Sequence, residues 1–226
     1  MITVNSTGGL SWFYKYIRGE RNMNEMNIEQ NKRILNAALD VVNKKNISGT
    51  RMHLIANQAK MVQSNVYYYY KTKEELMMAL QEYIWEECYD IRRKEKKHSK
   101  DNLESQLDVF FNQKKRLILN KHKYDFAEIE FWVHSKTNDK IHMQFIKNYE
   151  NWRTEIREIL EKYCPDLDEM NKQIIPYTLI SLLQGATIQY FIDKNAFDIE
   201  NYFELSKQMI LNQINNATKQ DTHSGK

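Results

Sequence analysis

The sequence predicts an all-α protein, and three observations support this fold class. Only 6 Gly and 2 Pro interrupt the 226 residues, which leaves room for long helices. Residues that favour helices, such as Lys, Glu, Leu, Gln, Met and Ile, are plentiful. Apolar residues recur at helical spacing through most of the chain. A chain of this length can bury a sizeable core as one large domain or as two smaller ones.

The N-terminal part of the periodic region is predicted to form three helices. The first starts at Ile28, ends over residues 46–49, and carries the apolar positions Ile34, Leu35, Ala38, Leu39 and Val42. Thr50 is placed to cap a second helix over residues 51–59, whose inward positions are Met52, Ile55, Ala56 and Ala59. A tight connection over residues 60–62 then leads to a third helix at about 63–69.

A capping box over residues 72–75 opens the fourth helix. The Thr72 hydroxyl and the Glu75 carboxylate are expected to satisfy backbone N–H groups at its start, and the helix runs to the basic stretch 92–97. Further helical patterns cover about 102–121, 125–135, 139–163, 170–193 and 199–218. The chain should therefore have nine helices.

These helices are divided into a head of three, residues 28–72, and a body of six, residues 73–218. Residues 1–27 show no periodicity and are expected to be a mobile extension, and the polar residues 219–226 a frayed tail. Met23 and Met26 directly precede the first helix, so they are alternative translation starts to Met1.

Composition and charge narrow the function classes. Residues 28–76 hold eight Lys and Arg against four acids, whereas the formal charge of the whole chain is only +3, so basic character is concentrated near the N-terminus. The basic run 92–97 is read as a solvated helix end. Cys88 and Cys164 have no partner spacing, which favours two reduced thiols in a cytoplasmic protein.

Neither a leader, nor a membrane span, nor an enzyme is indicated. Residues 1–22 lack a sustained apolar core, so no signal peptide is expected. Residues 173–192 carry no charge and could cross a bilayer by length, but their Pro, Ser and Gln residues favour a buried helix of a bundle. The six His residues show no metal-ligand spacing, and nucleotide, hydrolase and metalloprotease motifs are lacking. We expect no cofactor, no metal and no catalysis.

Residues 34–80 resemble the head of the tetracycline-repressor (TetR) family of bacterial transcriptional regulators. Three pieces occur in the right order: Ile-Leu-x-Ala-Ala at 34–38, Thr-x-x-x-x-Ile-Ala at 50–56, and Tyr-Tyr-x-aromatic-x-x-Lys-x-x-Leu at 67–76. Any single piece would be weak, but together they are specific. The resemblance covers about a fifth of the chain. It implies a helix-turn-helix DNA-binding head joined to a helical ligand-binding and dimerisation body.

The physical chemistry of these residues agrees with DNA binding. Two short helices joined by a tight turn can place the second in the major groove, where its exposed first turn, Gln63, Ser64 and Asn65, can contact base edges. Outside this motif, polar residues at a helix start would be read as merely solvated. The resemblance implies phosphate contacts by Tyr67 and Tyr68, with Val66 and Tyr70 in the core. Other predicted phosphate contacts are Thr50, Arg51, Lys60, Tyr69 and Lys73.

Four positions within residues 34–80 are unusual. Tyr69 stands where the family often has His. Lys73 opposes the dipole in the first turn of the fourth helix, which favours an anionic phosphate nearby. Lys60 and Val62 replace the usual Gly of the turn and Ser or Thr cap, so Lys60 is expected to adopt a left-handed conformation at a cost of about 1 kcal/mol and Val62 to leave the recognition helix uncapped.

The body is predicted to dimerise and to bind a small molecule. The predicted helix that contains the charge-free residues 173–192 is apolar around its whole circumference, so one of its faces should meet a second subunit. The predicted dimer residues are Ile175, Leu179, Leu182, Ala186, Tyr202, Phe203, Ile210 and Ile214. The resemblance implies an effector pocket, for which the candidates are Phe110, Phe111, Phe131, Trp132, Phe145, Tyr149, Trp152 and Tyr177, although ordinary core packing explains any one of them. Glu128 and Glu130 would suit a cationic or amphipathic effector.

The sequence thus predicts a homodimer that binds a double-stranded, near-palindromic operator and is released by an unknown small molecule. In a C2 dimer the two recognition helices would lie about 34 to 36 Å apart or somewhat more. The alternative is an architectural DNA-binding protein or an activator without ligand control.

Overall fold

The computed structural model describes residues 25–221, with side chains over 26–218, and this part of the chain is all-α, as predicted. It holds the nine predicted helices and one short 3₁₀ turn, Ser135–Thr137. The helices are α1 Glu25–Gly49, α2 Met52–Gln58, α3 Gln63–Tyr69, α4 Lys73–Lys96, α5 Leu103–Asn120, α6 His122–His134, α7 Asp139–Tyr163, α8 Glu169–Ile192 and α9 Ile199–Asp221.

The termini differ slightly from expectation. Helix α1 begins at Glu25, three residues before Ile28, and α9 continues to Asp221. The rest of the predicted extension, with the candidate start Met23, and the last five residues of the predicted tail lie outside the described residues.

The chain forms two compact units. In the described residues, unit 1 comprises 25–89 and 123–144, and unit 2 comprises 90–122 and 145–221. Unit 1 therefore contains the predicted DNA-binding domain together with most of α4 and with α6. Unit 2 contains the end of α4, α5, most of α7, and both α8 and α9.

The core of unit 1 lies between its first four helices. The predicted inward residues of α1 and α2 are all buried, and Val66 of α3 and Leu76 and Leu80 of α4 are fully buried with them. Burial of each large apolar side chain contributes roughly 1.5–3 kcal/mol. The three-helix head is thus held by apolar packing, which leaves the polar side of α3 for another role.

The end of α1 is set by Asn46. This residue has φ 53 and ψ 175, so the helix kinks there, and its side-chain oxygen accepts a hydrogen bond from the Gly49 N–H at 2.8 Å. Asn tolerates a positive φ better than most residues, because its short polar side chain can bond to nearby backbone. The predicted end of the first helix over residues 46–49 therefore corresponds to a kink and a stop.

Unit 2 is a helical bundle in which α8 contacts both α5 and α9. Asp168 caps α8 by accepting from the Asn171 N–H at 2.9 Å, and the helix runs on past Pro176. Its buried apolar residues include Ile175, Leu179 and Leu183. Among residues 25–221, no helix combines the length and the apolar character that crossing a bilayer requires.

Candidate nucleic-acid interface

Helices α2 and α3 are joined by a tight turn that contains a left-handed residue. Lys60 has φ 53, as predicted from its position in the turn. Its N–H donates to the Asn57 carbonyl at 3.0 Å, and the Met61 N–H donates to the Ala56 carbonyl at 2.9 Å. Arg33 of α1 donates to the Lys60 carbonyl at 3.4 Å. These bonds offset the cost of a left-handed non-glycine residue, about 1 kcal/mol.

The first turn of α3 is exposed and lacks a side-chain cap. Val62 occupies the N-cap position with extended backbone angles and makes no capping hydrogen bond, as predicted. Gln63, Ser64 and Asn65 are all exposed, whereas Val66 is fully buried. The three predicted base-reading side chains therefore lie together on the solvent side of a helix that is anchored by its opposite face.

The four consecutive tyrosines point in different directions. Tyr70 is buried and donates to the Asn31 side-chain oxygen at 2.5 Å, whereas Tyr67 and Tyr68 are exposed. These orientations match the prediction. Tyr69 is half-buried, and its hydroxyl donates to the Asn27 side-chain oxygen at 3.2 Å. Burial, and then the neighbouring Tyr68, raise the pKa of Tyr69.

Lys73 has an internal partner that sequence reasoning did not identify. Its ammonium donates to the Ile47 carbonyl at 2.6 Å, across 26 positions of the chain. Burial, and then the nearby Arg51, lower the pKa of Lys73. The carbonyl at the end of α1 therefore accounts for a cation at the start of α4, so this position does not by itself require a bound phosphate.

Of the two hydrogen bonds predicted for the capping box at α4, one is formed as predicted. The Thr72 hydroxyl oxygen accepts from the Glu75 N–H at 3.0 Å. The Glu75 carboxylate accepts from the Lys71 N–H at 2.9 Å, one residue before the Thr72 N–H that a standard box would use. The start of α4, which follows α3 directly, is thus fixed by two side chains.

The predicted cap of α2 is wrong. Thr50 is fully buried, and its hydroxyl donates to the Asn46 carbonyl at 2.7 Å, so its side chain is not available to a phosphate. Arg51 occupies the N-cap position without a side-chain cap bond. Its guanidinium is exposed and donates to the Ser48 carbonyl at 2.6 Å. Because α1 kinks at Asn46, the Thr50 hydroxyl meets a free carbonyl of α1 rather than the N–H groups of α2.

Helix α6 contributes residues that sequence analysis did not select for the head. The Glu130 carboxylate accepts from the Ile47 N–H at 3.3 Å, and Asn43 donates to the Lys123 carbonyl at 3.0 Å. The Asn and Gly residues around position 46 signalled a helix end. No local pattern indicates that a carboxylate 83 residues away would bind this backbone.

The predicted dimer residues lie on the expected helices, but most of them point inward. Ile175, Leu179 and Ala186 of α8, and Phe203, Ile210 and Ile214 of α9, are buried within unit 2. Leu182 and Tyr202 are half-buried, and the Tyr202 hydroxyl donates to the Leu182 carbonyl at 3.0 Å. These six buried residues pack their own subunit and therefore cannot form the surface that meets another.

The predicted pocket residues are not brought together as one set. Phe110, Phe111, Phe145, Tyr149 and Trp152 lie in the interior of unit 2 or at its edge. Phe131 is buried in unit 1, and Trp132 and Tyr177 are exposed on the surface. The five aromatic residues of unit 2 are the part of the prediction that remains compatible with a pocket there.

Comparison with known proteins supports the assignment of the head. Residues 34–80 match the family model of bacterial regulatory proteins of the tetR family. No curated protein matches the chain in sequence.

Solved structures share the fold at low identity. A putative transcriptional regulator from Pseudomonas aeruginosa PAO1 superposes with a TM-score of 0.76 at 14% identity, over 91% of this chain and 98% of that one. A putative transcriptional regulator from Saccharomonospora viridis in complex with choline superposes with a TM-score of 0.71 at 16% identity, over 80% of this chain and 95% of that one. The transcriptional regulator FadR from Bacillus subtilis in complex with stearoyl-CoA superposes with a TM-score of 0.67 at 14% identity, over 79% of this chain and 96% of that one.

The fold and the head together define a DNA-binding transcriptional regulator of the helix-turn-helix class. The resemblance to the tetracycline-repressor family is confirmed, because the DNA-binding domain matches the family model and the fold is the one that regulators of this kind have.

Proposed function

We propose that the protein binds a specific, near-palindromic operator as a homodimer and acts as a repressor that a small molecule releases. The observation that carries this proposal is the exposed polar first turn of α3, where Gln63, Ser64 and Asn65 stand on a helix anchored by buried Val66. Gln and Asn can each form a bidentate pair with adenine in the major groove, so this turn supplies the chemistry of base reading.

Phosphate contacts are proposed from the groups around this turn. The exposed Tyr67 and Tyr68 carry hydroxyls that can donate to phosphate oxygens, and Lys60 and Arg51 add charge. Lys73 has three N–H donors and spends one of them on the Ile47 carbonyl, so its remaining donors can bind a phosphate. Thr50 can contribute only through its backbone, since its side chain is buried.

The proposed dimer surface is the exposed face of α8 and α9. Exposed apolar residues on α8 recur at intervals of three or four, at Met170, Ile174, Tyr177, Ile188 and Ile192, with Ser181 and Gly185 in the middle of the row. Ser181 is exposed, whereas Gly185 is half-buried and leaves room for the Tyr202 hydroxyl of α9. Leu205 and Met209 add exposed apolar area on α9. Such a continuous apolar face on two adjacent helices is suited to a second copy of the chain.

A small-molecule effector is proposed for unit 2. Two proteins with this fold were solved with different molecules bound, choline in one and stearoyl-CoA in the other. The fold therefore accommodates small molecules without restricting their chemistry. Binding that changes the separation of the two DNA-binding heads would lower operator affinity.

Genomic footprinting followed by binding assays on the recovered operator tests the proposal. Gln63→Ala should relax sequence preference at one position of each half-site by roughly 1–3 kcal/mol of discrimination. Asn112→Ala, at an exposed amide residue of α5 outside the proposed DNA and dimer surfaces, is the control and should bind like the parent protein. Equal sequence preference in the parent and the Gln63 variant would refute the assignment, and binding that ignores sequence altogether would favour an architectural role.

Lys73 is tested by the salt dependence of the same complex. Lys73→Ala should weaken binding at all sequences and reduce the slope of log affinity against log salt by about 1 per protomer. An unchanged slope would assign Lys73 to the Ile47 carbonyl alone.

A further inference from the structure

The interior of unit 2 contains a chain of polar side chains that links three helices. Lys114 of α5 is only 3% exposed, and its ammonium donates to the Gln184 side-chain oxygen of α8 at 2.9 Å. The Gln184 amide in turn donates to the Tyr149 hydroxyl of α7 at 2.8 Å. Gln184 and Tyr149 are half-buried, so this chain leads from the buried ammonium towards the surface of the unit.

Two further polar groups of unit 2 are buried and unsatisfied. Thr187 follows Gln184 by three residues on α8, so these two side chains lie on the same face of that helix, whereas Asn148 directly precedes Tyr149 on α7 and does not share its face. Thr187 is 2% exposed and Asn148 is 7% exposed. Within the described structure, neither the Asn148 amide nitrogen nor the Thr187 hydroxyl has a hydrogen-bond partner. A buried polar group without a partner costs roughly 1–3 kcal/mol, so an incoming acceptor would be favoured here.

The buried charged side chains of unit 2 are cations. Among the described residues of unit 2, the charged side chains that are fully buried are Arg92 and Lys114, and no acidic side chain is buried to the same degree. Arg92 bonds to the half-buried Glu155 at 2.6 Å and lies 4.8 Å from the ring centre of Phe110 and 4.9 Å from that of Trp152. Arg92 thus lies among aromatic rings and is paired with a carboxylate, whereas the buried ammonium of Lys114 is bonded to the neutral amide of Gln184.

We propose that unit 2 binds an apolar molecule that ends in a carboxylate, with the carboxylate at Lys114 and Thr187. A carboxylate is acceptor-only and can take the ammonium and hydroxyl donors together. The apolar part would pack against Phe145 and Trp152, whose rings flank Tyr149 at 6.1 and 6.0 Å between ring centres. This inference rests on the proposed function and names the class of its effector.

The proposal reverses the charge expected from the sequence. Glu128 and Glu130 suggested a cationic or amphipathic effector, but both lie in unit 1, and Glu130 accepts a hydrogen bond from the Ile47 N–H. A cationic molecule at this site would meet the buried ammonium of Lys114 and could not accept the hydrogen bond that Thr187 offers.

Titration calorimetry on the full chain with three probes of equal chain length tests the proposed class: decanoate, decanol and decyltrimethylammonium. Decanoate should bind most tightly, decanol more weakly, and decyltrimethylammonium most weakly of the three. Lys114→Met should weaken decanoate by about tenfold or more, because a charge-assisted bond is lost, and should leave decanol nearly unchanged. Lys115→Met is the matched control, since this neighbouring lysine is bonded to Glu200 at the surface, and it should bind decanoate like the parent.

A second variant keeps the test decisive if Lys114→Met does not fold. Thr187→Val preserves shape and removes the unsatisfied hydroxyl, so the free protein should become more stable while decanoate binds several-fold more weakly. A purely structural Thr187 would change stability alone. Tightest binding by the cationic probe, no binding by any probe, or equal decanoate affinity in Thr187→Val and the parent would overturn the proposal.

Operator binding in the absence of any probe is measured separately, so the two proposals can fail independently. Specific operator binding that only a cationic amphiphile releases would overturn the carboxylate class and leave the regulator intact. Tight decanoate binding by a chain that binds no operator would do the reverse.

Discussion

The uncapped start of α3 gives a prediction whose size can be worked out. Val62 holds the N-cap position with φ −71 and ψ 145, the extended geometry that a capping residue needs, but its side chain offers no acceptor. The side chain is 64% exposed, so little apolar burial is lost if it changes. Thr has nearly the shape of Val and adds a hydroxyl that can accept from the N–H of Ser64 or Asn65. Val62→Thr should therefore stabilise the protein by about 1 kcal/mol.

The measurement compares three proteins without DNA. For a chain of this size, about 1 kcal/mol corresponds to roughly 2–4 °C in Tm, and the urea midpoint should rise at constant m-value. Val62→Ala is the matched control, because Ala also lacks an acceptor and should gain nothing. Amide hydrogen exchange should slow at Ser64 or Asn65 only in the Thr variant. Equal stability of the Thr and Ala variants would refute the view that this helix start lacks a cap.

Three other outcomes follow from the structure. Ile188→Glu places a charge on the proposed dimer surface and should shift the protein towards monomer in analytical ultracentrifugation, whereas Val133→Glu, at a similarly exposed apolar site of unit 1, should not. A protein that stays dimeric with Ile188→Glu would exclude this face as the dimer surface. Thr72→Ala removes the cap of α4 and should lower Tm by roughly 2–4 °C in calorimetry, and an unchanged Tm would contradict the role of that bond. The side-chain amide and then the N–H of Asn171 lower the pKa of the Asp168 carboxyl, so its capping is complete above about pH 4 and is lost as pH falls through the lowered pKa. The loss of stability that Asp168→Ala causes in urea unfolding should therefore shrink from about pH 6 to about pH 3, and a loss that stays constant would contradict this role.

Local patterns accounted for the helices because each begins and ends on signals that lie within a few residues. The spacing of Ile34, Leu35, Ala38 and Leu39 predicted the buried face of α1, and the structure buries all four. The position of Lys60 in the turn predicted its positive φ. These features depend on neighbouring residues, so a sequence alone is sufficient to find them.

The remaining features depend on contacts between residues far apart in the chain. Helix α8 is apolar on every side, so its pattern could not distinguish the face that packs inside the subunit from the face that is left exposed. The partner of Lys73 is a backbone carbonyl 26 residues earlier, which carries no side-chain signal. Thr50 was misassigned because the kink at Asn46 offered its hydroxyl a closer acceptor. In each case the path of the backbone between distant residues decides which groups come into contact.

The backbone at Ile47 is held from two sides. Its N–H is bound by Glu130 of α6 and its carbonyl by Lys73 of α4, so two successive peptide groups are each tied to a different helix of unit 1. Neither α4 nor α6 can slide along the end of α1 without breaking one of these bonds. The segment that follows, from Ser48 to Arg51, leads directly into the helix-turn-helix. Ile47, which has no polar side chain, thus fixes the start of the helix-turn-helix to both α4 and α6 through its backbone alone.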